Sequence, residues 1–560
     1  MNLAELIAVA KGDKQADLLL INAKIVNTFN AEIEEGNVAI YGDRIAGVGN
    51  YQQGKDVMDL EGKYLIPSLI DGHIHPESSM LHIARYAEAV VPRGVCAIVT
   101  DFHEIANVKG LTGIEYMLQC AKDIPFEVYL MVPSCVPATQ LESSGATLRA
   151  KDVDQALTWN ESIGLGEIMD FPSLLAAKED ILDKIGSASD MIIDGNAPAL
   201  SGKELNAYIA CGIHSDHECT RLDEAREKLA RGMHIMIREG SSEKNLEDLL
   251  PLVTDQTYKR CLFVVDDRSC DDLLLDGDID AVVRKAIRLG LNPMRSIQMA
   301  TINTAEYFRL NDLGAIAPSY RANMFVVPNL SSLKAEKVFY HGKLVAENGA
   351  LLHRSPVLMN KEMTNTVHIK PFSVDDLKQP ALKDDIHVIE IIPDQILTKK
   401  LVVKGTVVDG FYTADTERDI LKLVVVERHK ATGNIGIGFV KGFGLKKGAI
   451  GSSFSHDSHN IIAVGTDDRE IFCVIQEIER LQGGLSVSVD GIILGVLSLP
   501  IAGLLSTESV ETVVAKMGQL RGITAKLGCH LSNPFATLST LALPVIPELR
   551  LTDHGLVEIG

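Results

Sequence analysis

Apolar and polar positions alternate in the first sixty residues. Behind a short amphipathic helix over 3–10, the runs ADLLLINAKIVNTFN and GNVAIYGDRIAGVGN change face at every residue, with Gly-Asp and Gly-Asn turn pairs between them. This predicts a small β unit over 1–62. The same texture returns over 311–358, in GAIAPSYRANMFVVPNL and KVFYHGKLVAENGALL. Between them, over 63–310, the pattern changes to continuous apolar runs: LIPSLIDGHIH, CAIVTDF, FEVYLMVPS, ESIGLGEIMDF, MIIDGN, CGIHSDHE, GMHIMIREGS and LFVVDD. Helix-patterned stretches such as LDEAREKLARG and DAVVRKAIRLGL separate them. Continuous apolar runs are strands buried on both faces. Eight β-then-α units over about 240 residues predict a (β/α)8 barrel with its chemistry at the C-terminal strand ends. The flanking β segments then pair into one composite β-sandwich. A polar stretch over 359–387 predicts a linker, and the Gly-rich short apolar runs of 388–560 predict a C-terminal α/β domain. An open doubly wound sheet is the competing α/β architecture, but no Gly-rich phosphate loop follows the first strand.

A chain of 560 residues exceeds what one core supports. Its 54 basic and 75 acidic residues leave a net charge of −21, which argues against nucleic-acid or anionic-membrane partners and suits an enzyme for a small, nearly neutral molecule. Nine scattered cysteines, with no C-x-x-C, predict reduced thiols and a cytoplasmic address. The stretch MNLAELIAVAKGDKQADLLL lacks the basic and apolar regions of a signal peptide, and no apolar run reaches the roughly 18 residues of a membrane span. A symmetric homo-oligomer is the expected assembly.

The candidate chemistry sits where the strands end. In LIPSLIDGHIHPESSM, His73 and His75 are two apart on a strand end and project to one face, as a divalent transition metal requires. Glu167, in GEIMD, can bind one ion with each oxygen. Asp216-His217-Glu218 places a ligand beside a carboxylate, and His214 is a further imidazole just upstream. Asp266-Asp267 closes the last strand, and a carboxylate there can take a proton from water and pass it to a leaving group. Glu77, four residues after His73, either serves the chemistry or stabilises the strand end. His103, Glu104, Arg238, Glu239 and Asp267 are candidate substrate contacts, with a salt-bridged rim as the plain alternative for Arg238-Glu239. His456-Asp457-His459 in the last domain is a candidate to reach the barrel mouth, with a loop or capping role as the default, and the single Trp159 is assigned a packing role.

H-x-H, a mid-barrel Glu, a downstream His and a last-strand Asp resemble the amidohydrolase superfamily. The strings IDGHIHPESSM, DFHEIANV, PSCVPAT, GEIMDFP, SDHECT, MIREGSSEKNL, DDRSCDDL and, near the C-terminus, GNIGIGFVKGFGLKKGAIGSSFSHDSHNI are similar to the bacterial and archaeal adenine deaminases over essentially the whole chain. The resemblance implies hydrolytic deamination of adenine to hypoxanthine and ammonia by a metal-bound hydroxide. It implies one or two divalent metals (Mn, Fe or Zn), with His73 and His75 on the first, Glu167 bridging, His217 on the second, and Asp266 as ligand and proton shuttle. Glu218 and Glu77 join Asp266 as catalytic candidates. The chain departs from the family at Asn196, where a histidine ligand is expected and which His214 would replace, and at Phe102 and Asn323, where Pro and Asp are expected. That departure keeps two alternatives open: a hydrolase that opens an oxopurine or another cyclic amide ring, and a purine-binding paralogue without turnover.

Overall fold

The computed structural model describes residues 2–393 and 395–559. A five-stranded and a three-stranded parallel sheet make up the barrel. Numbered from the first barrel strand, they are β1 (Leu69–Asp71), β2 (Val95–Thr100), β3 (Glu127–Pro133), β4 (Ser162–Ile168), β5 (Ile192–Gly195), β6 (Ser215–Asp216), β7 (His234–Arg238) and β8 (Cys261–Val264). Every residue of β2 and β8 is buried, which explains why these strands read as unbroken apolar runs. The ring closes where Asp266-Asp267 pairs in parallel with Ile74-His75. Asp71 secures that closure, accepting from the His73 and Val265 amides at 3.1 and 3.3 Å.

The two β segments that flank the barrel lie in one nine-stranded sheet, in which Met324–Val327 pairs with Tyr64–Pro67. Leu65 and Ile66, which the apolar pattern joins to the first barrel strand, belong to this sheet. The chain passes into the barrel at Ser68. Asn323 ties the sheet to β3, donating to Glu127 Oε1 at 3.1 Å and accepting from the His341 amide at 2.8 Å.

Over 359–387 the chain is no bare connector. Met363, Val367, Ile369 and Leu377 are buried, the last three against the apolar face of the C-terminal sheet. That eight-stranded sheet carries the adjacent strands β9 (Ala449–Ser452) and β10 (Ile461–Gly465), with the helix Asp468–Leu481 packed on it.

Barrel geometry fixes the strand ends closely. A Cβ on Gly195 would lie 2.3 Å from the Ser215 carbonyl oxygen, so only glycine lets β5 approach β6 just before Asn196. Lys228, fully buried, bonds Asp216 at 3.0 Å and the Ala197 carbonyl at 2.7 Å, locking the turns that present Asn196 and His217. No helix among the described residues is long and apolar enough to cross a membrane, and all nine cysteines are free.

Candidate active site

Five side chains from β1, β4, β6 and β8 or the turns just beyond them meet at the C-terminal face: His73, His75, Glu167, His217 and Asp266, none more than 5% exposed. Glu167 Oε1 lies 3.4 Å from His73 Nε2 and 3.2 Å from His75 Nε2. Asp266 Oδ1 lies 3.8 and 3.2 Å from the same two nitrogens. Donors about 2.0–2.2 Å from a common centre stand about 3.3–3.6 Å apart at tetrahedral angles, so these four atoms have the spacing of ligands around one cation. His73 Nε2 and Glu167 Oε1 are buried without a hydrogen-bond partner, a cost that a cation between them would remove. The residues fit a divalent metal.

The charge states of both acids and of His73 suit a cation, whereas the surrounding carboxylates, unless a cation neutralises them, outweigh burial and raise His75 and His217. Burial would raise the Glu167 carboxyl, but the imidazoles of His73, His75 and His217 hold it down to about 2. Burial opposes ionisation of Asp266 as well, and Arg238 outweighs it and keeps the carboxyl well below its ordinary range. Burial and the neighbouring His217 push His73 down to about 3, leaving it a neutral ligand.

A second cation finds fewer donors. His217 Nε2 is 3.6 Å from Glu167 Oε2, but Asn196 Nδ2 donates to that same oxygen at 2.8 Å and reaches Glu218 Oε1 at 3.3 Å. The residue at the departure thus caps the oxygen that a bridging carboxylate would offer. His214 does not replace the missing imidazole. It precedes β6 on the exposed side of the barrel, where its carbonyl accepts from the His234 amide at 2.7 Å.

Arg238 grips Glu218 with two bonds of 3.0 and 2.9 Å and Asp266 Oδ2 with one of 2.6 Å. Buried, with both terminal nitrogens committed and Nε left without a partner, it orients the two acids, and its bonded nitrogens are taken by them rather than free for substrate. Removing a partner from such a buried pair costs about 3–5 kcal/mol. Glu239, the next residue, turns the other way to Lys285 (2.5 Å) and the Leu246 amide (3.1 Å), which takes it out of the site. Glu77 is fully buried; its Oε1 accepts from the Ile105 amide at 3.5 Å, in the first turn of the helix α1 (His103–Lys109), and its Oε2 has no hydrogen-bond partner. Asp267 stays at the mouth, bonded to Ser78 Oγ.

One group escaped the reading of the sequence, and another was read there with a loop or capping role as the default. Asp101, at the end of β2, lies 3.2 Å from His75 Nδ1 and holds His103 Nδ1 at 3.0 Å. Its position two residues before His103 was a usable signal, the same i, i+2 spacing that marks His73 and His75. The other is the 453–460 loop between β9 and β10. His456 Nδ1 lies 2.6 Å from Glu104 Oε1, and His459 Nε2 lies 2.5 Å from Glu104 Oε2. Glu104 is therefore spent on docking the C-terminal unit and not free for substrate. The Ser455 amide donates to His459 Nδ1 (3.1 Å), so the His459 proton sits on Nε2 and points at Glu104.

Burial works against charge on His456, but Glu104 holds its pKa up to about 9. A folded-state pKa above the ordinary 6.5 adds stability that is complete below about 6.5 and lost as pH rises through about 9. The thermal midpoint of wild type should therefore exceed that of His456→Gln most at about pH 6, with the gap closing beyond about pH 9. A gap independent of pH would show that the pair is not ionic.

The barrel and the buried donor set at its C-terminal face define a hydrolase of the amidohydrolase class. A family model described as the amidohydrolase family matches residues 64–345, and one described as the adenine deaminase C-terminal domain matches 395–560. A relative from Dehalococcoides mccartyi named adenine deaminase is 58% identical over 558 residues, spanning 100% of this chain and 98% of its own. Adenine deaminase 2 of Carboxydothermus hydrogenoformans is 48% identical over 557 residues, 99% of this chain and 98% of its own. A crystal structure of an adenine deaminase aligns at a TM-score of 0.47 and 17% identity, covering 60% of this chain and 100% of that one. The chain belongs to the amidohydrolase family and, within it, to the adenine deaminases.

Proposed function

We propose that the protein hydrolyses adenine to hypoxanthine and ammonia at a single divalent cation held by His73, His75, Glu167 and Asp266. The observation that carries the substrate is the 58% identity to a relative named adenine deaminase over the whole chain, C-terminal unit included. The ring-opening and silent-paralogue readings find no support among the relatives.

A bound cation supplies Lewis acidity, bringing the ionisation of water near neutral pH. The chain's own groups do the rest. Asp266, kept ionised by Arg238, accepts the proton of the attacking water and returns it to the departing amine. Glu218, fixed by the same guanidinium and 3.7 Å from His217 Nε2, is placed to carry a proton to a ring nitrogen. His217, without a full ligand set around it, acts as a cation-side neighbour that favours negative charge on the substrate. Imidazole and carboxylate donors suit manganese, iron or zinc alike.

Ammonia and hypoxanthine formed in equal amounts from adenine are the expected products. Loss of an oxopurine absorbance band without ammonia would instead assign ring opening.

A further inference from the structure

The C-terminal loop brings a third side chain to the barrel mouth, and the mechanism above leaves it unused. Asp457 is 5% exposed, and its Oδ2 has no hydrogen-bond partner. A carboxylate oxygen of Asp457, a ring nitrogen of His103 and an oxygen of Glu104 all lie within 4.8 Å of one another. The neighbours have other commitments. Both oxygens of Glu104 face histidines, Asp267 holds Ser78, and His103 Nδ1 is anchored on Asp101. His103 Nε2, 3.7 Å from Glu104 Oε1 and beyond hydrogen-bond distance, and Asp457 Oδ2 are both unengaged and lie across from one another.

The loop is held rigid from behind. Arg428, fully buried, bonds the His459 carbonyl and, at 3.0 Å, the Ala502 carbonyl. Ser453 Oγ donates to the Gly503 carbonyl at 2.7 Å, and Asn460 donates to the Ser143 carbonyl of the barrel at 2.8 Å. The backbone on either side of Asp457 is thus fixed, and its buried, unpartnered oxygen can be satisfied by a donor from a ligand.

Resting on the reading of the site as an adenine deaminase, we propose that Asp457 accepts the imidazole-ring N–H of the purine, with His103 bonded to the adjacent ring nitrogen, so that the C-terminal unit restricts the substrate class to free purine bases. Buried in the site, a ring N–H needs an acceptor, and a carboxylate is the strongest available. A purine substituted at N9 has no such hydrogen. It leaves the carboxylate unsatisfied and brings bulk against it, and a site built around a substrate N–H can reject the analogue lacking it by about 10⁴–10⁵-fold.

The test is rapid-mixing measurement of adenine and 9-methyladenine binding to cation-loaded wild type, Asp457→Asn and Asp457→Ala, read in the binding phase before turnover consumes the base, with cation content measured beside it. Wild type should bind adenine and show no saturable binding of 9-methyladenine at matched concentrations. Both variants should bind adenine about ten- to a hundredfold more weakly, the worth of a hydrogen bond to a charged group, and discriminate less between the two bases. Equal binding of the two bases by wild type would overturn the proposal even if neither variant folds. So would adenine affinity within twofold of wild type in the variants, or loss of cation from them, which would make Asp457 a metal ligand. The binding phase precedes turnover, so wild type that binds adenine in this way but releases no ammonia would sink the deaminase reading and leave the role of Asp457 standing.

Discussion

Asp266→Asn is expected to lower kcat for adenine by about 10²–10⁴-fold, the range spanned by a positioned general acid–base. The substitution is mild for the backbone. Asp266 sits in the left-handed region at φ 67°, which Asn tolerates as well as Asp. Arg238 keeps both bonds to Glu218, so the buried guanidinium is not stranded. What changes at saturating cation is that an amide can neither take a proton from water nor return one to the amine. Because Asp266 Oδ1 is also a donor to the cation, cation content is measured beside the rate and only the fully loaded variant is compared. Steady-state kinetics beside a thermal melt separate the outcomes. A kcat within tenfold of wild type would remove Asp266 as the proton carrier and pass the role to Glu218.

Stripping the cation is expected to take adenine turnover below detection, with recovery on adding back manganese, iron or zinc. The size of the effect follows from the nucleophile, because free water ionises near pH 15.7 and cation-bound water near pH 7. His75→Ala should behave as the stripped protein does and resist rescue, since it deletes a donor 3.2 Å from both Glu167 Oε1 and Asp266 Oδ1. The stripped protein should also melt earlier. His73 Nε2 and Glu167 Oε1 are buried without partners, and a ligand that satisfies only the folded state stabilises it by mass action. Full activity after exhaustive chelation, with elemental analysis confirming removal, would contradict the assignment.

Much of the barrel was legible along the chain because parallel strands buried on both faces leave unbroken apolar runs, as β2 and β8 do. The pattern failed where one apolar run crosses from one sheet into another: Leu65 and Ile66 look like Leu69 and Ile70, and only hydrogen-bond pairing separates them. Side-chain alternation accounts for two mistakes at strand ends. Arg238 and Glu239 are neighbours that face opposite ways, and His214 lies before β6 whereas His217 lies after it. Least legible was the contact of Glu104 with His456 and His459, some 350 residues away along the chain. A loop histidine carries no local pattern that names a distant carboxylate, so the C-terminal half of the site emerges only from the folded chain. Asn196 was the reverse case. The sequence marked it as a missing ligand, and the structure adds that its amide occupies the oxygen of Glu167 that a second cation would need.

The central claim is that buried imidazoles and carboxylates, distant in sequence, converge to hold one cation. Elemental analysis of the purified protein, per chain and alongside Asn196→His, tests it most directly. The account predicts close to one equivalent of transition metal in wild type and a second equivalent once the imidazole replaces the amide. Wild type that carries no tightly held cation and takes up none when supplied would contradict the account.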